Sequence, residues 1–184
     1  MEEIKYRLGD YKYYFFKNLQ NYLDTELLFY GSIKRKDFFE NASDVDITII
    51  NDNVSSILSK LTNYLHIDKS NIKKIYQKFT EKSTILVSGY KVKYDNKENN
   101  IVFDILVYDE KYRNIVLQNI DDINKLPLYV VFVLYIIKIN YYILHLMSKK
   151  TYLYLKNCIF YMYFNKKISV YDKNKITTII LDNF

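Results

Sequence analysis

The sequence predicts an α+β fold, and three observations predict it. Apolar runs at residues 25–30, 44–50 and 101–108 have the length of strands and are bounded by turn signals. Segments before and between them carry apolar residues at helical spacing. After Glu110 the pattern is helical nearly throughout, so a sheet backed by helices leads into an all-helical C-terminal region. This divides the chain into a core over 1–109 and a helical region over 110–184 packed on it.

In order along the chain, Glu2 to Tyr22 reads as a helix through Ile4, Leu8, Tyr11, Phe15 and Leu19, weakened at Gly9. Thr25 to Tyr30 is the first strand and enters a Gly31-Ser32 turn. Ser32 to Phe38 is expected to open a short helix whose free N–H groups would face an anion. In the next strand, side chains at i and i+2 share a face. Asp44, Asp46 and Thr48 therefore project together, with Val45 and Ile47 turned to the opposite layer. Asn51-Asp52-Asn53 is a turn, and Asp52 or Asn53 caps a helix from Val54 to Leu65 that ends at His66.

Ile72 to Phe79 is a candidate strand. Thr84 to Tyr94 and Ile101 to Tyr108 read as a hairpin closed by residues 95–100, with Lys91 and Lys93 on one face of its first arm. Glu110 to Asn124 is amphipathic, and Pro127, the sole proline, separates it from the most apolar stretch of the chain. That stretch, Leu128 to Met147, is long enough to span a membrane, but Lys138 sits in the middle of it. Tyr135, Lys138, Tyr141, Tyr142 and His145 form one stripe, which reads as a core or subunit-interface helix. Thr151 to Phe164 reads as a further buried helix, although its aromatic content would also suit a strand. Asp172 is placed as the cap of a last helix through Leu181.

Two carboxylates side by side on one strand repel each other, and cations lying between them relieve that repulsion; oxygen ligands suit magnesium. Asp104, alone in the run IVFDILVY, is a third acid in a place where an uncompensated charge is costly. Three such carboxylates on neighbouring strands would make a two-metal site for phosphoryl or nucleotidyl transfer.

Gly31-Ser32, then Ser43-Asp44-Val45-Asp46-Ile47, then Asp104, each in an apolar strand context, resemble the nucleotidyltransferase fold of the DNA polymerase β superfamily. That family's pattern is a strand, Gly-Ser, Asp-x-Asp, and a later acid on an antiparallel strand, and the likeness covers about Thr25 to Tyr108. The resemblance implies a mixed or antiparallel sheet backed by helices. It implies transfer of a nucleoside monophosphate from an NTP, such as ATP, to a hydroxyl, with release of pyrophosphate. Asp44, Asp46 and Asp104 would be catalytic and would hold two Mg2+ ions, with Mn2+ as an alternative. Gly31, Ser32, Lys34, Arg35 and Ser43 would bind the nucleotide. Ile33 departs from relatives that have a second small or hydroxyl residue there, which leaves Ser32 and the backbone to hold phosphate.

Across 184 residues, Lys and Arg number 27 and Asp and Glu 21, for a net charge of +6 and a pI near 9.0. That balance favours an RNA or DNA 3′ end as acceptor. The alternatives are a protein or small-molecule acceptor, as in antitoxin-like or antibiotic-modifying enzymes, or a non-catalytic subunit. The apolar C-terminal helices point to a homodimer or a partner protein. A single cysteine, Cys158, permits no internal disulfide, and the N-terminus lacks the apolar stretch of a signal peptide. A reducing, cytoplasmic location is the expectation.

Overall fold

A computed structural model of the chain describes residues 4–40, 42–77, 79, 86–96, 99, 101–164 and 170–172, with residue 164 and the last three by backbone alone. The architecture is α+β. Strands β1 (Leu28–Tyr30), β2 (Val45–Ile50), β3 (Ile72–Gln77), β4 (Val87–Asn96), β5 (Ile101–Tyr108) and β6 (Val170–Asp172) make one mixed sheet in the order β1-β2-β5-β4-β3-β6. Helices α1 (Lys5–Leu23) and α2 (Val54–Leu65) cover one face. Helices α3 (Arg113–Asn124), α4 (Leu128–Tyr142) and α5 (Lys149–Phe164) follow the sheet in sequence.

Alternation along the central strands divides the residues between the two faces. Ile47 and Ile49 of β2, with Phe103, Ile105 and Val107 of β5, point into the core formed with Leu8, Phe16, Leu19, Leu61 and Leu65 of the two covering helices. Phe16 and Phe103 meet edge-on at 5.2 Å, the geometry that aromatic quadrupoles favour. Residues of the opposite parity, Asp46, Thr48, Asp104 and Leu106, are thereby left on the other face.

Some boundaries agree with the sequence reading and others differ, each for a local reason. Helix α1 is kinked at Gly9, whose φ of 70° breaks the helical run. The segment after β1 is a single 3-10 turn over Gly31–Lys34, too short to supply a helix dipole. Helix α2 is capped by the Asn53 side chain, which accepts from the Ser56 N–H at 3.0 Å. Asp109 caps a 3-10 turn at Glu110–Tyr112, and α3 begins only after it. The long apolar stretch stops being helical at Tyr142, ahead of a left-handed residue at His145. Residues 151–164 are helical, as read, but the helix is not buried, since Leu153, Tyr154, Met162 and Tyr163 are exposed. Asp172 lies in β6, and the helix expected after it falls outside the described residues, as do parts of the 72–79 strand, the 84–94 arm and the 95–100 turn.

Among the described residues, no helix is long and apolar enough to cross a membrane. Lys138 turns inward and is buried, whereas Leu128, Tyr129, Phe132, Val133 and Ile136 of the same helix are exposed.

Candidate active site

One row across four strands carries the polar groups of the open face. Tyr30 is paired in register with Asp46, Asp46 with Asp104, and Asp104 with Lys93. Strand β5 is antiparallel to β4, as the hairpin reading has it, and parallel to β2. Parallel register puts Asp46 and Asp104 directly opposite each other on one face. Asp44, two residues earlier and exposed, stands just before β2.

Asp46 is the electrostatic centre. Burial, reinforced by the Asp104 and Asp44 charges, pushes its carboxyl up to about 6, against the opposing pull of Lys156 and Lys91. Burial above all, and then the Asp46 charge, raises the Tyr30 phenol well above its ordinary value. Asp104 pairs with Lys91 at 2.6 Å, a contact the sequence reading did not foresee. That pair is partly exposed, with the lysine side chain 41% accessible. Such pairs contribute about 0–1 kcal/mol, so Lys91 can give way to another cation at little cost. Among the described residues, no three acidic, histidine or cysteine side chains already form a cluster able to enclose a metal ion.

Gly31 is required twice over. Its φ of 76° is left-handed, and a Cβ built on it would stand 2.9 Å from Asp46 Oδ2. Its N–H donates to Asn124 Oδ1 at 3.0 Å. Gly31→Ala should therefore cost about 1–2 kcal/mol in backbone strain alone, with a further penalty from displacing Asp46. Urea unfolding of the variant measures the sum.

The loop after Gly31 is held from three sides. Arg7 of α1 donates to the carbonyls of Ile33, at 3.0 Å, and of Arg35. Arg35 is buried; it donates to both carboxylate oxygens of Asp37 at 2.9 and 3.1 Å, and to the Ile123 carbonyl at 3.1 Å. Lys138 of α4 donates to the Asp37 carbonyl at 2.7 Å and lies 3.2 Å from its carboxylate. Burial alone would raise the Asp37 carboxyl, but the Arg35 hydrogen bond and the Lys138 and Arg35 charges outweigh it and hold the pKa below the ordinary value. Burial lowers the Lys138 ammonium to about 8, in spite of Asp37.

The nucleotide-binding candidates therefore sit in different settings. Gly31 and Ser32 lie beside Asp46, and Lys34 is exposed. Arg35, with its donors committed to Asp37 and Ile123, shapes the loop instead of offering a free charge. Ser43 Oγ accepts from the Phe39 N–H at 3.2 Å and from Lys138 at 3.4 Å, bracing the turn before β2.

Two cavities meet at this site. One, of about 240 Å3, runs from Gly31, Ser32 and Asp46 between the sheet and helices α3 to α5. The other, of about 320 Å3, is lined by Ser43, Asp44, Lys93, Tyr141, Tyr142 and Lys149, among others. Ser32, Asp46, Lys138 and Lys156 border both. Lys156 was missed in the sequence, where its only signal is a lone charge in the apolar run TYLYLKNCIFYMYF.

No curated protein matches the chain. The family model described as the nucleotidyltransferase domain matches residues 15–175. That span takes in the Gly31-Ser32 turn, all three aspartates and both cavities, and the chain therefore belongs to the nucleotidyltransferase domain family.

Proposed function

We propose that the protein transfers a nucleoside monophosphate from an NTP to a hydroxyl acceptor, in a reaction that depends on a divalent cation and takes a nucleic-acid 3′ end as acceptor. Membership of the family carries the general reaction and implies an NTP substrate. The observation that carries the site assignment is the register pairing of Asp46 with Asp104 on the open face, beside Gly31 and Ser32.

The donor set fits a hard cation. It consists of carboxylate oxygens, and the Asp46 charge is held at a cost, from burial first and from the neighbouring acids after it, that a cation would offset. Asp46, Asp104 and Asp44 would hold such ions, with Mg2+ the natural choice. Bound there, the ions would supply Lewis-acid stabilisation of phosphate charge and a more acidic acceptor hydroxyl. Ser32 and the Gly31 backbone would hold the triphosphate, with Lys156 as the nearby positive charge. Asp104 would accept the hydroxyl proton once Lys91 has moved aside. Charge and alignment then account for most of the rate, as in phosphoryl transfer generally.

The larger cavity supports the choice of acceptor. Lys93, Lys149 and Lys156 line it, and Tyr141 and Tyr152 stack there at 4.5 Å with their planes 8° apart. Positive charge interleaved with aromatic rings suits a single strand, whose phosphates and bases need both. The exposed apolar side of α4 supports docking of a second copy or a partner protein.

Incubation with labelled NTPs, Mg2+ and single-stranded RNA or DNA should extend the oligonucleotide. Label appearing in the protein itself or in a small hydroxyl compound would move the acceptor assignment to those classes. No transfer to any acceptor, together with no Mg2+ binding by calorimetry, would overturn the reading in favour of a non-catalytic subunit.

A further inference from the structure

We infer that the 240 Å3 cavity running from Asp46 beneath helices α3 to α5 is a nucleobase pocket, and that Asn119 at its wall selects among bases. The inference rests on the proposed NTP reaction and adds where the base goes and what reads it.

The cavity begins at Gly31 and Ser32, the groups assigned to the triphosphate, and at Asp46, assigned to the cations; its lining includes neither Asp44 nor Asp104. It therefore leads away from the acceptor side. Leu106 and Tyr108 of the sheet form one wall, with Ile120, Ile123 and Phe160 of the helices opposite. Two apolar walls favour a flat ring over a charged group, because stacking replaces poorly hydrated surface while an unpaired charge would be penalised. At about 30 Å3 per water, its volume equals that of about eight water molecules, enough for a heteroaromatic ring system with the sugar nearer the mouth.

Of the charged groups in the lining, Arg35 and Lys138 are tied to Asp37, and Asp46 and Lys156 stand where the two cavities meet; the remaining amides, Asn119 and Gln77, are of the kind that read base edges. Asn119 is half-buried and makes no hydrogen bond to another described residue. Its amide therefore offers a donor and an acceptor side by side. Gln77 accepts from the Tyr108 hydroxyl, which leaves its own N–H groups for a ligand. Tyr108 is itself set by Gly89 of β4, where a Cβ would stand 2.6 Å from the ring.

Calorimetry with Mg2+, tripolyphosphate and each of the four common NTPs separates the base from the phosphates. At least one NTP should bind ten-fold or more tighter than tripolyphosphate. Ile120→Trp, which fills the cavity, should reduce that NTP to the level of tripolyphosphate while leaving tripolyphosphate itself unchanged, which also shows that the variant is folded. Asn119→Ala should level the affinities of the four NTPs. A triphosphate with a fluorescent base should be shielded from iodide quenching in the unaltered protein, a measurement that needs no variant. Equal binding of NTP and tripolyphosphate, an unaffected Ile120→Trp, an unchanged ranking in Asn119→Ala, or a freely quenched base would each overturn the pocket and leave the transfer reaction standing. If neither NTP nor tripolyphosphate binds, the transfer reaction falls, and the pocket with it.

Discussion

Asp46→Asn should abolish nucleotidyl transfer, lowering the rate by at least about a thousandfold, or roughly 4 kcal/mol of transition-state stabilisation. The substitution keeps the shape of the side chain and removes only its charge. Asp46 adjoins Ser32, faces Asp104 across the register and borders both cavities, so no neighbouring carboxylate can replace it. The same variant should be more stable than the parent when no cation is present. The sign follows from the pKa of about 6: a carboxyl raised on folding takes up protons more readily in the native state, so its charge opposes folding at neutral pH. That opposition disappears as pH falls from about 6 towards the unfolded value near 4. Without cation at pH 7, the variant should gain up to about 2 kcal/mol, and saturating Mg2+ should narrow the gap by stabilising only the parent. Transfer assays and thermal melts with and without Mg2+ read the two effects; a variant that is neither more stable nor inactive would remove Asp46 from the centre of the site.

Asp37→Ala should be the most damaging substitution for stability, costing about 3–5 kcal/mol. It would leave the Arg35 guanidinium and the Lys138 ammonium buried without their shared counter-charge. Lys138→Met should cost less, because the two-point Arg35–Asp37 contact would survive it. The pH dependence has the opposite sign from that of Asp46. A carboxyl depressed on folding contributes stability that is fully present above the unfolded value near 4 and is lost as pH falls through the lower folded value. Acid below about pH 4 should therefore erase part of the parent's advantage over Asp37→Ala. Urea unfolding at pH 7 and pH 3 measures both; equal sensitivity to Asp37→Ala and Lys138→Met would contradict the description of Asp37 as shared between two cations.

The acids were legible in the sequence because one periodicity picked them out on two separate strands. The two-residue repeat put Asp46 opposite in facing to Ile47 and Ile49, and the same repeat isolated Asp104 among Phe103 and Ile105. Gly31 was legible as a turn, but its contact with Asp46 was not, since that depends on two strands coming together. The Arg35–Asp37 contact was not legible, because the charge of Arg35 was visible and its partner was not. Asp37 carries no pattern of its own in the sequence, and Lys138, which helps to bury it, lies 101 residues further on. Lys138 and Lys156 each interrupt an apolar helix, a signal that marks an inward-facing charge without naming what it meets. The Lys91–Asp104 pair was out of reach because the register sets Lys93 opposite the acid, yet it is Lys91, two residues away on the same face, that reaches it.

The clasp between residue 37 and residue 138 also orders events during synthesis. A ribosome that has released β1, β2 and even β5 has yet to supply the ammonium that completes the turn leading into Asp44. Closing so long an intervening stretch is entropically expensive and slow compared with forming a local hairpin. A newly made chain would thus pair β1 to β5 before it completes its centre, and a fragment ending at residue 125 should lack transfer activity.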